Sequence, residues 1–394
     1  MLTSRLILAS VFVTVPVLAA PSGRIGFVGA KGAQILHLPA GTVTSLPHAS
    51  KATYLTVSPQ GTSIYFVSLA GAKANDDGMV TVGNGFQSSP PYKVAKPMLA
   101  LQKQSPYSSL WNRSGKVLYL YTSKFSGTFT PATGQAASLK NRPASIDQNE
   151  RHVAYSTESE IVVRDTRSGQ SRVVFDLRHP EPMLDALKAA KSPKNVSELL
   201  PSSDDPLFKE ERNWYLSDPA LAPDGSRLYF ASNAGTGTGA SGNSSFALFA
   251  VDLKTNKLAV LSKVGTNFGR APHIVVVSPD GRRLMFASSV HASAADNSCF
   301  VEIVDLLTQN SREVFTRMLP DSKDKANFLD SAAWSPDSKY VALSGYFYNA
   351  DKLMQEGHKW TDPKPAQYTM GIVDAGTGRV VKTMPGATSL NWIR

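Results

Sequence analysis

Seven histidines, His37, His48, His152, His179, His273, His291 and His358, are the side chains with the widest chemical reach in this sequence. No pair follows His-x-x-x-His and none forms a His/Cys cluster, so the short zinc motifs are missing. No Gly-x-Ser-x-Gly elbow occurs, which removes the α/β-hydrolase route to acyl transfer. Asp76-Asp77 and a series of turn aspartates offer oxygen ligands for calcium, but aspartate in a turn is already accounted for by bonds to the turn's own amides. Any metal centre would have to be assembled from residues far apart in the chain. His273, which precedes the apolar run Ile274 to Val277, is the best single candidate for such a centre. No cofactor motif is present, and none is expected.

The elements that would position such residues are legible because one phrase recurs: an apolar run, a tight turn and a second apolar run. The clear copies of the turn are Ser58-Pro59-Gln60-Gly61, Ala222-Pro223-Asp224-Gly225, Ser278-Pro279-Asp280-Gly281 and Ser335-Pro336-Asp337-Ser338. Weaker copies are Asn112-Arg113-Ser114-Gly115 and Asp147-Gln148-Asn149-Glu150. Proline presets φ, aspartate bonds to nearby amides and glycine accepts positive φ, which together make a hairpin turn. A second hairpin follows in most copies, for example Ile161 to Asp165 leading to Val173-Val174-Phe175, and Met370 to Asp374 leading to Val380-Val381.

Each unit is therefore a four-stranded antiparallel meander, and units of this length in series are propeller blades. Six units are complete. The N-terminal strands from Arg24 lack a first strand, and Ser389 to Ile393 at the C-terminus supplies one. The expectation is an all-β, seven-bladed β-propeller of four-stranded antiparallel blades, closed between the N- and C-terminal strands. The wide interval from 147 to 222 leaves room for an eighth, degenerate blade.

The Ser-Pro-Asp-Gly turns, with the Leu-x-Phe-x-Ser type of strand after them, resemble the TolB-type, WD40-like propeller repeats of secreted bacterial proteins. The resemblance covers residues 24–394, read as a single propeller, and has no counterpart of the additional N-terminal α/β domain of TolB. It implies a fold rather than an activity, because the shared residues are turn and strand residues.

Residues 1–19 read as a secretory signal peptide: Arg5, an apolar stretch from Leu6, and small residues at Val17 and Ala19 before the cut. That stretch is shorter than the roughly 20 residues that span a bilayer. The expected location is periplasmic or secreted, with no integral membrane segment after cleavage. Cys299, alone in an oxidising compartment, has no internal partner and is expected to be buried on a strand. The formal charge of +10 is scattered without a basic run, which disfavours nucleic acid and leaves anionic envelope polymers as natural electrostatic partners.

In a four-stranded meander the A–B and C–D turns lie at one end and the B–C and D–A connections at the other. The long connections, 69–91, 233–245, 289–298 and 346–367 (B–C) and 178–217 (D–A), all belong to the second end. Repeat proteins tend to bind through the face that carries their insertions. The 178–217 insertion contains an expected short helix, Pro182 to Ala190, which could lie across the channel mouth as a lid. Chosen by connection type and chemistry, the expected ligand-binding residues are Tyr107, Arg142, Trp214, Arg270, His273, His358, Lys359 and Trp360. The function expected is a non-catalytic, monomeric binding scaffold for a protein or envelope polymer. The alternative is a metal-dependent glycan lyase or hydrolase built on the same propeller.

Overall fold

The computed structural model describes residues 20–70, 83–98, 106–122, 125–139, 142–157, 159–179, 181–189, 216–236, 243–264, 270–291, 297–315, 326–347, 367–385 and 387–393. Their strands form seven antiparallel sheets of four, one per blade. Blade 1 holds β1 (Gly23–Gly29), β2 (Gly32–Leu38) and β3 (Thr42–Ser45), and blade 2 holds β4 (Ala52–Val57), β5 (Ile64–Ser68), β6 (Asn84–Ser88) and β7 (Ala95–Pro97). Blade 3 is β8 (Pro106–Trp111), β9 (Leu118–Thr122), β10 (Ser126–Thr130) and β11 (Gln135–Ser138). Blade 4 is β12 (Arg142–Ile146), β13 (His152–Ser156), β14 (Glu160–Asp165) and β15 (Ser171–Asp176), followed by helix α1 (Glu181–Ala189). Blade 5 is β16 (Ala220–Leu221), β17 (Arg227–Thr236), β18 (Asn243–Asp252) and β19 (Leu258–Val264). Blade 6 is β20 (Arg270–Val277), β21 (Arg283–His291), β22 (Asn297–Asp305) and β23 (Ser311–Phe315). Blade 7 is β24 (Ala326–Trp334), β25 (Tyr340–Phe347), β26 (Gln367–Asp374) and β27 (Val380–Pro385), and β28 (Thr388–Ile393) then completes blade 1.

The closure expected between the chain ends is present: β28 pairs antiparallel with β1, Arg24 opposite Ile393 and Gly26 opposite Asn391. The first strand of each blade touches the first strand of the next, from β28 through β4, β8, β12, β16, β20 and β24 back to β28. These seven strands are therefore the innermost ring. Apolar side chains on both faces of each blade pack against the neighbouring blades, giving seven buried clusters, one at each interface. This is why β5 is buried at all five positions instead of alternating. Among the described residues the cluster between blades 3 and 4 is the smallest, with Val153, Tyr155 and Val162 at its centre.

Five of the six A–B turns share one side-chain hydrogen-bond scheme, the exception being the blade 5 turn, whose Ala222 makes only the backbone bonds. The first residue accepts from an amide four or five positions on: Ser63 N to Ser58 Oγ, Arg283 N to Ser278 Oγ and Tyr340 N to Ser335 Oγ, each 2.9 Å. Asn112 Oδ1 accepts from Val117 N at 2.9 Å, and Asp147 Oδ1 from Arg151 N at 2.8 Å. Serine, asparagine and aspartate are thus interchangeable acceptors, and the two weaker copies, at Asn112 and Asp147, make the same bond as the serine copies. In the C–D turns the leading aspartate does the same work. Asp165 Oδ1 accepts from Arg167 N and Ser168 N, Asp252 Oδ1 from Lys254 N and Thr255 N, and Asp305 Oδ1 from Leu307 N and Thr308 N. These amides hold the Asp165 carboxyl down at about 2 and lower those of Asp252 and Asp305.

Three expectations are corrected. Residues 84–88 are the third strand of blade 2, so its B–C connection is 69–83. The long hairpins β17–β18 and β21–β22 pair out to Thr236 opposite Asn243 and His291 opposite Asn297, which shortens the expected connections 233–245 and 289–298 to 237–242 and 292–296. Helix α1 is present, but it packs beside β19, the outermost strand of blade 5, with Met183 fully buried between blades 4 and 5. A helix held at the rim by an apolar side chain does not cover the axis. No eighth blade occurs among the described residues. Cys299 lies on β22 opposite Ser289, as its alternating neighbours suggested. No helix among the described residues is long and apolar enough to cross a membrane, and residues 1–19 lie outside them.

Candidate binding site on the propeller axis

Every innermost strand is bulged, five residues before the A–B turn in blades 2, 3, 6 and 7 and three residues before it in blade 4. Each carries one residue more than the strand it pairs with: the register shifts between Ala52 and Tyr54, Pro106 and Ser108, Pro143 and Ser145, and Pro272 and Ile274. In blade 7 it shifts twice, and in blade 1 the shift lies opposite Gly26 to Val28. Blade 5 spans Leu216 to Ala220 against Tyr229 to Ser232. Such bulges bend a strand and re-aim its side chains, which suits a strand that must turn around an axis.

Counting back five residues from the first residue of each A–B turn gives Thr53, Tyr107, Arg142, Ser217, His273 and Asp330. Two of the predicted site residues, Tyr107 and His273, are the bulge residues at one equivalent level of the inner ring in blades 3 and 6, whereas Arg142 pairs with Ser156 because the bulge of blade 4 falls at Ala144. Arg270 opens β20, opposite Val290. Trp214, His358, Lys359 and Trp360 lie outside the described residues. Among the described residues no group of three or more His, Cys, Asp or Glu side chains stands close enough to hold a metal ion.

Below that level, towards the A–B turns, lies a cavity of about 380 Å³. Its walls are the inner strands of blades 3 to 6, including Leu110, Trp111, Ala144 to Ile146, Asp218 to Leu221 and Val275 to Val277. None of the eight predicted residues lines it, but Arg142 and His273 stand two residues before Ala144 and Val275, which do. The polar groups of the wall are largely occupied. Ser145 Oγ accepts from Leu221 N at 3.1 Å, Asp218 Oδ1 from the Ser156 hydroxyl at 3.0 Å, and Asp147 Oδ2 stands 2.8 Å from His152 Nδ1. Burial raises the hydroxyls of Tyr119 and Tyr155 behind this wall, keeping both protonated.

The collar at the lower end is built from the second residue of successive turns: Pro59, Arg113, Gln148, Pro223 and Pro279. Gln148 Nε2 reaches past blade 5 to donate to Pro279 O at 2.8 Å, while its own amide donates to Pro223 O at 2.8 Å. The two non-proline residues come from the two turns that looked degenerate. That departure was the signal that could have found them: a proline position surrendered in two blades delivers polar side chains to the axis.

No family model matches the chain, and no curated protein matches it in sequence. Among solved structures, an oligogalacturonate lyase in complex with manganese is 10% identical with a TM-score of 0.51, over 91% of this chain and 85% of that one. The Cps50 (Swd1) β-propeller domain of Myceliophteria thermophila is 13% identical with a TM-score of 0.50, over 85% and 87%. A putative TolB from Agrobacterium tumefaciens is 13% identical with a TM-score of 0.42, over 75% and 87%. These neighbours, a lyase and a Cps50 (Swd1) propeller domain among them, share the fold of this chain at 10–13% identity, and the likeness is one of fold.

Proposed function

We propose that the chain is a TolB-type propeller, exported by the leader 1–19, that acts in the periplasm or outside the cell as a monomeric, non-catalytic scaffold. It binds a protein or an envelope polymer through the end of the ring from which the B–C and D–A connections leave. The supporting observation is the inequality of the two ends. A–B turns such as Ser58 to Ser63 are uniformly short, while the strands flanking the opposite end leave wide intervals, Ser68 to Asn84, Asp176 to Ala220 and Phe347 to Gln367. Insertions confined to one end of a rigid repeat scaffold are the usual mark of its recognition face. Tyr107, Arg142, Arg270 and His273 lie on innermost strands, and Trp214, His358, Lys359 and Trp360 fall in sequence within the 178–217 and 346–367 connections.

The test is capture from envelope extract by the mature protein and by a variant in which residues 190–215 become a short Gly/Ser linker. Helix α1 is retained because Met183 is part of the core. A partner held by the native chain and lost by the folded variant supports the reading. Equal capture by both, or by neither, counts against it. A second reading, a metal-dependent glycan lyase or hydrolase, draws on the shared bulge level of Tyr107, His273 and Asp330 and on the manganese-bound lyase among the fold's neighbours. Elemental analysis separates the two: a stoichiometric transition metal favours the second, and a metal-free protein of full stability in chelator removes it.

A further inference from the structure

The axial cavity holds one cation whose charge nothing in the described structure uses. Arg113 is half-buried in the collar, and its guanidinium makes no hydrogen bond or ion pair among the described residues. Its backbone, by contrast, is clamped from both neighbouring blades. Gln60 of blade 2 donates its Nε2–H to the Arg113 carbonyl. On either side of Arg113, Asn112 Nδ2 and Ser114 N donate to the Glu150 carboxylate of blade 4, at 2.9 and 2.7 Å. The Glu150 carboxylate is thus engaged by N–H groups of the Arg113 turn. A guanidinium on a fixed backbone, next to a cavity with apolar walls, is a preorganised anion receptor.

We propose that this cavity binds a small organic monocarboxylate, the carboxylate on the Arg113 guanidinium and the apolar body against Leu110, Trp111, Ile146 and Val275 to Val277. The volume of about 380 Å³ lies in the range of small-molecule pockets. The wall also selects against higher charge. A second negative group on the ligand would share the cavity with Asp218, and inorganic phosphate would leave the apolar wall unfilled. The site lies at the opposite end of the channel from the proposed recognition face and stands independently of it.

The experiment is calorimetric titration of the full chain with hexanoate and benzoate, against the neutral hexanol and benzyl alcohol and against inorganic phosphate. The expected result is saturable binding of at least one carboxylate, about tenfold or more tighter than its alcohol, and weak or no binding of phosphate. Arg113→Met, which keeps the apolar stem, should weaken the carboxylate by about 10- to 100-fold and leave the alcohol unchanged, while Arg113→Lys restores part of the loss. Thermal unfolding confirms that both variants are folded, since the Arg113 side chain holds no bond the fold depends on. Unaltered carboxylate affinity in Arg113→Met, phosphate binding as tight as hexanoate, or no saturable carboxylate binding up to about 10 mM would overturn the proposal.

Discussion

The two ends of this ring obey different rules. At the turn end, the fourth residue of all six A–B turns has positive φ, in Gly61, Gly115, Glu150, Gly225, Gly281 and Ser338. Each of these residues abuts the turn end of the preceding blade. A side chain on Gly225 would run into Asp147 and His152, Glu150 bonds to Asn112 and Ser114, and Ser338 Oγ accepts from Asp280 N at 3.1 Å. At the other end, the B–C turns of blades 3 and 4 share a threonine, Thr122 and Thr157 accepting from the amides of Phe125 and Glu160, but the B–C intervals range from Gly29 to Gly32 up to Phe347 to Gln367. A closed ring can tolerate diversity at one end because repeated local chemistry fixes the other.

Crowding at the turn end gives the largest expected effect. Gly225→Val would place a branched side chain where even a methyl falls 2.8 Å from His152 Nδ1 and closer still to Asp147 Oδ2, at φ +71°. A loss of about 3 kcal/mol or more, or failure to fold, is expected in thermal unfolding. Gly134→Ala, with the same φ of +71° and no neighbour within 4 Å, should cost only about 1 kcal/mol. Equal losses would mean that backbone strain rather than blade-to-blade contact matters.

Next comes the tie between blades 3 and 4, where the buried cluster is smallest. Glu150→Ala should destabilise by about 1–3 kcal/mol through loss of two charge-assisted hydrogen bonds. Asn112→Ala combined with it should be markedly less than additive. Full additivity would show that the tie is incidental.

The aspartate turns predict an acid dependence. Their folded carboxyls are lowered, so their stabilisation is complete above the ordinary aspartate value near 3.8 and is lost as pH falls towards about 2 for Asp165. Asp165→Asn should flatten part of the fall in stability over that window when melting is followed from pH 5 to 2. An unchanged slope would contradict the assignment. The smallest effect is expected at the other end: the 190–215 linker variant should melt within a few degrees of the native chain, about what a loop replacement costs.

Most of the fold was legible because turn chemistry and strand periodicity are local, and β28 was recognisable as the missing strand of blade 1 from Leu390-Asn391-Trp392 alone. The B–C boundary of blade 2 was misplaced because Asn84 to Ser88 contains Gly85 and little apolar patterning, and only pairing with β5 makes it a strand. The position of α1 depended on where Met183 finds a pocket, which is a tertiary fact. The shared level of Tyr107 and His273 could have been counted from the turns, but the same count misplaces Arg142, because the bulge of blade 4 lies at Ala144. The cavity could not, since Arg113 and Gln148 matter only once the turns are arranged around an axis. Both had been passed over as blemishes in a repeat.

The most direct test of the claim that one end holds the ring and the other binds puts both ends into a single capture assay. Three folded proteins are compared on envelope extract: the native chain, the 190–215 linker variant, and a turn-end variant with Arg151→Glu, Lys254→Glu and Arg379→Glu on exposed positions. The account predicts that the native chain and the turn-end variant retain the same partner and the linker variant loses it. Loss in the turn-end variant with retention in the linker variant would contradict it.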